Sequence, residues 1–199
     1  IVKLVLQVIL PVEVRFLPSG LSRFIQLPLH ELTNQRICAD EVTNFFDASF
    51  AERLCEEDNF RDRIKIIEEL FIKSLYKYDL QTVPQIAFAI EQINRHQGKL
   101  PVQSLVEDIC LCQRQFERKF KINTGYTPKI YSRIMQFKNA VDLLRSATCD
   151  NLLSTAVHAG YYDVPHLSRE IKRMSGNTPY SFLALPSPEE EVTLTYIEA

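Results

Sequence analysis

One stretch of this chain occurs twice, and the repeat limits the folds open to it. Phe116, Arg118, Phe120, Lys121, Gly125, Thr127, Pro128 and Tyr131 return 51 positions later as Leu167, Arg169, Ile171, Lys172, Gly176, Thr178, Pro179 and Phe182. An internal repeat decides the architecture before any other signal is read. Two copies are too few for a solenoid, so the chain holds a duplicated supersecondary unit.

The physics of one copy is legible. Phe116 and Phe120 lie four apart and share a helical face, while Arg114, Arg118 and Lys121 form a basic stripe on another. Gly125 suits the left-handed position past a helix end. Thr127 then caps a new helix, with Pro128 in its first turn. A short apolar segment precedes each copy, Leu105 to Leu111 and Leu152 to Ala159. Helix, tight turn and basic helix in that order predict a helix-turn-helix, made twice.

In chain order, residues 1–30 read as β-structure, because β-branched runs are broken by Pro11, by Pro18-Ser19-Gly20 and by Pro28. So few strands make a poor sheet alone, and they read as the end of a larger N-terminal sheet whose beginning is missing. The chain opens on Ile1, which fits an N-terminally truncated piece of something longer. Helices follow over 50–58 and 60–78. In the second, Ile64, Ile67, Leu70, Phe71 and Leu75 oppose Arg61, Arg63, Lys65, Glu68 and Glu69. Residues 78–83 read as a linker.

From Pro84 the helical signals are dense. Ile86, Ile90 and Ile93 line one face, Gly98 ends that helix, and Pro101 opens a short one to about Cys110. Gln113 to Asn123 is the first basic helix. A long helix from Pro128 to Ser146 carries Ile130, Ile134, Phe137, Val141 and Leu144. Asp150 or Asn151 caps the next helix, Gly160 ends it, Asp163 caps the second basic helix, and Thr178-Pro179 opens a last one to about Leu185. Val192 to Ile197, in the tail, can add an edge strand. The expected fold is α+β: residues 1–80 are the end of a β-rich N-terminal domain with one or two helices, 84–185 form a mainly α domain with two helix-turn-helix units on a long helix, and 186–199 form an acidic tail.

Charge sharpens this division. The formal net charge of −2 conceals 13 basic against 8 acidic side chains in residues 84–185 and 10 against 13 in residues 1–83. A basic module beside acidic neighbours is the pattern of an anion-binding domain. The five cysteines, Cys38, Cys55, Cys110, Cys112 and Cys149, show no disulfide or zinc spacing and read as reduced small hydrophobes of a cytoplasmic protein. The apolar opening, Ile1 to Val12, is too short for a membrane span, and Lys3 and Gln7 interrupt it. No cofactor or metal is expected.

Residues 85–184 resemble the DNA-binding domain of AraC/XylS-type bacterial transcription regulators, most specifically over Gly160 to Pro179 (GYYDVPHLSREIKRMSGNTP). Residues 14–78 resemble more weakly the end of an N-terminal domain of uncharacterised role found in some such regulators, through Val14 to Gly20 and Pro28 to Leu32. The resemblance implies activators or repressors that bind asymmetric sites. Its pattern puts Gln113, Arg114, Glu117 and Arg118 of the first unit, and Val164, Pro165, His166, Ser168 and Arg169 of the second, against base edges. It also marks departures: Cys112 replaces a capping Ser, Cys110 a turn Gly, Thr155 an aliphatic residue and Gln136 a basic one.

Arg114 suits a guanine edge, Glu117 a cytosine amine and Val164 a thymine methyl. Lys121, Arg133, Lys172 and Arg173 suit phosphate. The partner expected is therefore duplex DNA, with RNA polymerase, a small-molecule effector or a homodimer through the N-terminal part as further partners, and no membrane. A rival reading is a protein-interaction scaffold that keeps the bihelical fold without binding DNA. A third is a DNA-repair enzyme with a cysteine nucleophile, but Cys38 and Cys55 have acidic neighbours in sequence and no catalytic pattern around them. The expectation is a regulator and not an enzyme.

Overall fold

In a computed structural model, residues 3–6, 12–35, 37, 41, 48–78, 83–146 and 151–183 are described. Strands β1 (Lys3–Leu6) and β2 (Val12–Arg15) pair antiparallel, with Leu4 opposite Val14. Nine helices follow among the described residues: α1 (Ala48–Glu56), α2 (Phe60–Tyr78), α3 (Pro84–Arg95), α4 (Val102–Asp108), α5 (Gln113–Thr124), α6 (Pro128–Arg145), α7 (Leu152–His158), α8 (Val164–Ser175) and α9 (Tyr180–Leu183). Two compact units divide them. One draws on residues 1–87 and 117–126, the other on 88–116 and 127–199.

In the first unit Val14 and Phe16 alternate inward on β2 and its continuation, while Arg15 and Leu17 face solvent. They join Leu21, Ile25, Leu29, Phe50, Leu54, Ile67 and Phe71 in one core, where Phe16 meets Phe71 edge to face at 5.4 Å. The expected run of strands to residue 30 is not there. After β2 the chain makes two 3-10 turns, Leu21–Arg23 and Leu29–Glu31. The spacing of Leu21, Ile25 and Leu29 explains this: three apolar side chains four apart are all buried, which a strand with alternating faces cannot do. The fold is mainly helical, with a single described ladder.

Arg63 is a second correction. Expected on the polar side of α2, it is buried, and its Nε donates to the Glu57 carbonyl at 2.5 Å. In the same unit Gly125, at φ +83°, lies against Leu29 and Thr33, and the Thr33 hydroxyl donates to the Gly125 carbonyl at 3.3 Å.

The second unit is built by its caps. Thr127 Oγ1 accepts from the Ile130 amide at the start of α6, Asn151 from Ser154 at α7, and Asp163 from His166 at α8. Each satisfies an amide that the first turn leaves free. Ala140, Val141 and Leu144 of α6, Ala156 of α7, Leu167 and Ile171 of α8 and Phe182 of α9 then close one core. The N-terminal half of α6 departs from its expected stripe: Tyr131 and Ser132 are buried and Ile130 is 42% exposed. Gly98, at φ +75°, explains the rotation. A Cβ there would lie 2.0 Å from the Ser132 carbonyl oxygen, so the turn after α3 rests directly on the α6 backbone. Tyr131 Oη meanwhile donates to Asn94 Oδ1 of α3 at 2.9 Å. Asp150, Cys38, Cys149, the end of the last helix at Leu185 and the 192–197 strand lie outside the described residues.

Candidate nucleic-acid interface

The two basic helices share one construction. Phe116 and Phe120 of α5, and Leu167 and Ile171 of α8, have no exposed surface. Across each helix the polar residues face outward: Gln113, Arg114, Arg118 and Lys121 on α5, and Pro165, Arg169, Lys172 and Arg173 on α8, are exposed. Glu117, Val164, His166 and Ser168 are half-buried. The apolar pair fixes the rotation of each helix about its axis, and that rotation sets which side chains reach outward.

The entry to α8 is tightly specified. Asp163 holds the His166 amide at 2.6 Å, and Pro165 stands in the first turn. The His166 ring meets Tyr161 edge to face at 5.3 Å, and its Nδ1 accepts from the Tyr162 amide at 3.4 Å. A neutral ring held this way carries its proton on Nε2. Arg169 Nε donates back to the Pro165 carbonyl at 3.3 Å, which leaves its terminal nitrogens outward.

Behind the exposed face sits a charge network that sequence reasoning missed. Arg133 of α6 donates through Nη2 and Nε to Glu170 Oε2, and Arg173 approaches the other carboxylate oxygen at 3.6 Å. Burial pushes the Glu170 carboxyl up, but the Arg133 hydrogen bond and the charges of Arg133, Arg173 and His166 outweigh it, and the net shift is downward. Tyr161, desolvated and beside Glu170, has its phenol pushed up to about 12. Arg133 is therefore engaged across the α6–α8 contact rather than projecting alone. A signal was present in the repeat: position 119, which matches 170, is Lys, so the copies differ in charge there.

Two departures from the family pattern are explained by packing. Gln136 Nε2 donates to the carbonyls of Ala159 and Gly160 at 3.0 and 2.9 Å, and Lys99 Nζ to that of His158 at 3.3 Å. Together they satisfy the C-terminal carbonyls of α7. Thr155 is buried with its hydroxyl donated to the Asn151 carbonyl at 3.2 Å, so its polar atom is satisfied.

The entries to the two basic helices differ. Four residues, 109–112, separate α4 from α5, and five, 159–163, separate α7 from α8. In each connection the second residue is left-handed, Cys110 at φ +53° and Gly160 at φ +79°. Cys110 and Cys112 are exposed free thiols, as is Cys55, so these three are not the small buried hydrophobes that the sequence suggested. Among the described residues no group of three or more His, Cys, Asp or Glu gathers in a form that could hold a metal ion, and no helix is long and apolar enough to cross a membrane.

Residues 105–184 match the family model described as a helix-turn-helix domain. Solved structures similar to part of the chain include the xylose-binding transcription activator XylR, 21% identical over 54% of this chain and 28% of its own, at a TM-score of 0.49. Another is a probable AraC family transcriptional regulator from Rhodopseudomonas palustris CGA009, 19% identical over 50% of this chain and 94% of its own, at 0.45. A third is the DNA-binding domain of AdpA, a global transcriptional factor, in complex with a target DNA, 21% identical over 50% of this chain and 89% of its own, at 0.46. The chain thus spans little more than a quarter of the XylR chain's length. No curated protein matches it in sequence.

Proposed function

Residues 105–184 form a helix-turn-helix domain of the AraC type, and on that premise we propose that the chain is a sequence-specific DNA-binding transcription regulator that reads duplex DNA with both basic helices. The observation that carries the reading is the exposure of Arg118 and Arg169, equivalent in the repeat, each on a helix whose opposite face is fully buried. Arg114 and Arg118 read guanine edges from α5, with Gln113 and Glu117 beside them. Val164, Pro165, His166, Ser168 and Arg169 read from α8, where Nε2–H of His166 is a donor aimed away from its own backbone contact. Lys121, Lys172 and Arg173 hold phosphate; Arg133 joins them only by giving up Glu170. The 18 residues of α6 span about 27 Å at 1.5 Å per residue. Successive major-groove faces lie about 34 Å apart, so one chain places its helices in adjacent turns.

Selection from random duplexes at two salt concentrations, with Arg118→Ala and Arg169→Ala alongside wild type, tests this. The expected result is an enriched two-part motif with parts about one turn apart, each weakened by one variant, and affinity that falls steeply with salt. A scaffold without DNA binding would give no enrichment and no response to either variant. RNA polymerase and an effector or homodimer at the N-terminal part complete the proposed set of partners.

A further inference from the structure

Local rules break twice at the entry to α5, and the second copy shows what the rules would prefer. Where α7 turns into α8, the left-handed residue is Gly160 and the cap is Asp163. Where α4 turns into α5, the left-handed residue is Cys110, and Cys112 immediately precedes the helix, its carbonyl accepting from the Phe116 amide at 3.0 Å. A side chain at φ +53° is disfavoured by about 1 kcal/mol against glycine. A thiol is a weaker acceptor than the hydroxyl or carboxylate that caps a helix, a further loss of about 1 kcal/mol. Both departures are to the same residue type, and both thiols are exposed. Departures from local preference without a packing gain collect at functional positions.

We propose that Cys110 and Cys112 form a two-thiolate site for a soft monovalent d10 cation of the Cu(I) class. Their Cα atoms, two residues apart, lie within about 7 Å of each other, so both sulfurs can reach one ion. Thiolate selects soft ions. With no cluster of three or more ligating side chains among the described residues, zinc, which takes four protein ligands in a structural site, is disfavoured, and an ion content with two sulfurs fits. On binding, two S–Cu bonds form and both thiol protons leave to solvent; nothing is oxidised. The loaded site carries one net negative charge at the mouth of α5.

The test is anaerobic competition for Cu(I) against bathocuproine disulfonate, using the full chain, wild type and Cys55→Ser, Cys110→Gly and Cys112→Ser. The last two restore the residue types that the turn and the cap prefer, so weak binding in them cannot be blamed on misfolding, and circular dichroism checks this. The expected result is one tightly held Cu(I) in wild type and Cys55→Ser, with affinity at least tenfold lower in Cys110→Gly and Cys112→Ser. Equal retention in all four proteins, or no retention by wild type, overturns the site. The assay uses no DNA, so its failure is separate from failure of the DNA-binding reading.

Discussion

Arg133 grips Glu170 through two nitrogens, Nη2 at 2.6 Å and Nε at 3.2 Å from the same carboxylate oxygen, and so ties the long helix α6 to the basic helix α8. The side chains are 28% and 17% exposed. The pair lies between a screened surface bridge and a fully desolvated one.

Glu170→Gln should therefore destabilise the protein by about 1–2 kcal/mol at neutral pH, since it leaves a half-buried guanidinium without its counter-charge. The folded carboxyl titrates below its ordinary 4.5. Its contribution is complete above that value and fades as pH falls through the lower folded value. Urea unfolding at pH 7 and at pH 3 should show a gap between variant and wild type that narrows in acid. A gap of constant size would mean that charge is not its origin.

Gly98 and Gly176 share a φ of +75° but not a setting. A Cβ on Gly98 strikes the α6 backbone at Ser132, whereas one on Gly176 meets nothing within 4 Å. Gly176→Ala should cost about 1 kcal/mol, the conformational penalty alone, and Gly98→Ala about 3 kcal/mol or more. Chemical denaturation of both variants gives the comparison, and equal losses would refute the backbone contact.

Tyr131 is held by Asn94, but its desolvation pushes the phenol up to about 12. Its contribution to stability is intact below the ordinary 10.0 and lost as pH climbs from there towards that value. Tyr131→Phe should cost about 1 kcal/mol at pH 7 through the lost hydrogen bond. Absorbance titration should show phenols ionising late, one fewer of them in the variant.

Cys110→Gly and Cys112→Ser should each raise stability, by about 1 kcal/mol and about 0.5–1 kcal/mol, because glycine suits the left-handed turn and serine caps the helix. Thermal unfolding in the presence of a metal-free reductant measures this. A loss in Cys110→Gly would mean that its left-handed backbone is not the conformation in solution.

Much of the helical part was legible, and for local reasons. Thr127, Asn151 and Asp163 cap where their types say they should, and Gly125, Gly160 and Gly176 stop helices because each sits at positive φ. Phe116, Phe120, Leu167 and Ile171 were readable from spacing alone, since nothing else on those helices can be buried. What escaped depended on distant partners. Arg63 turns inward to a carbonyl, Tyr131 and Ser132 displace Ile130 because Asn94 and Gly98 meet them, and Glu170 gains its role only when Arg133 arrives from another helix. Residues 16–35 misled because apolar runs with prolines suit a strand edge and an irregular core-covering segment equally.

The connection before α8 is one residue longer than that before α5. The two copies therefore align at an offset of 50 up to the left-handed residue and at 51 beyond it, so the basic helices are not interchangeable cassettes. Grafting α8 onto the shorter connection would deliver its arginines about 100° out of phase around the helix axis, one residue's worth of turn. A working chimera has to carry its connection with it, and the heritable module is the turn and the helix together.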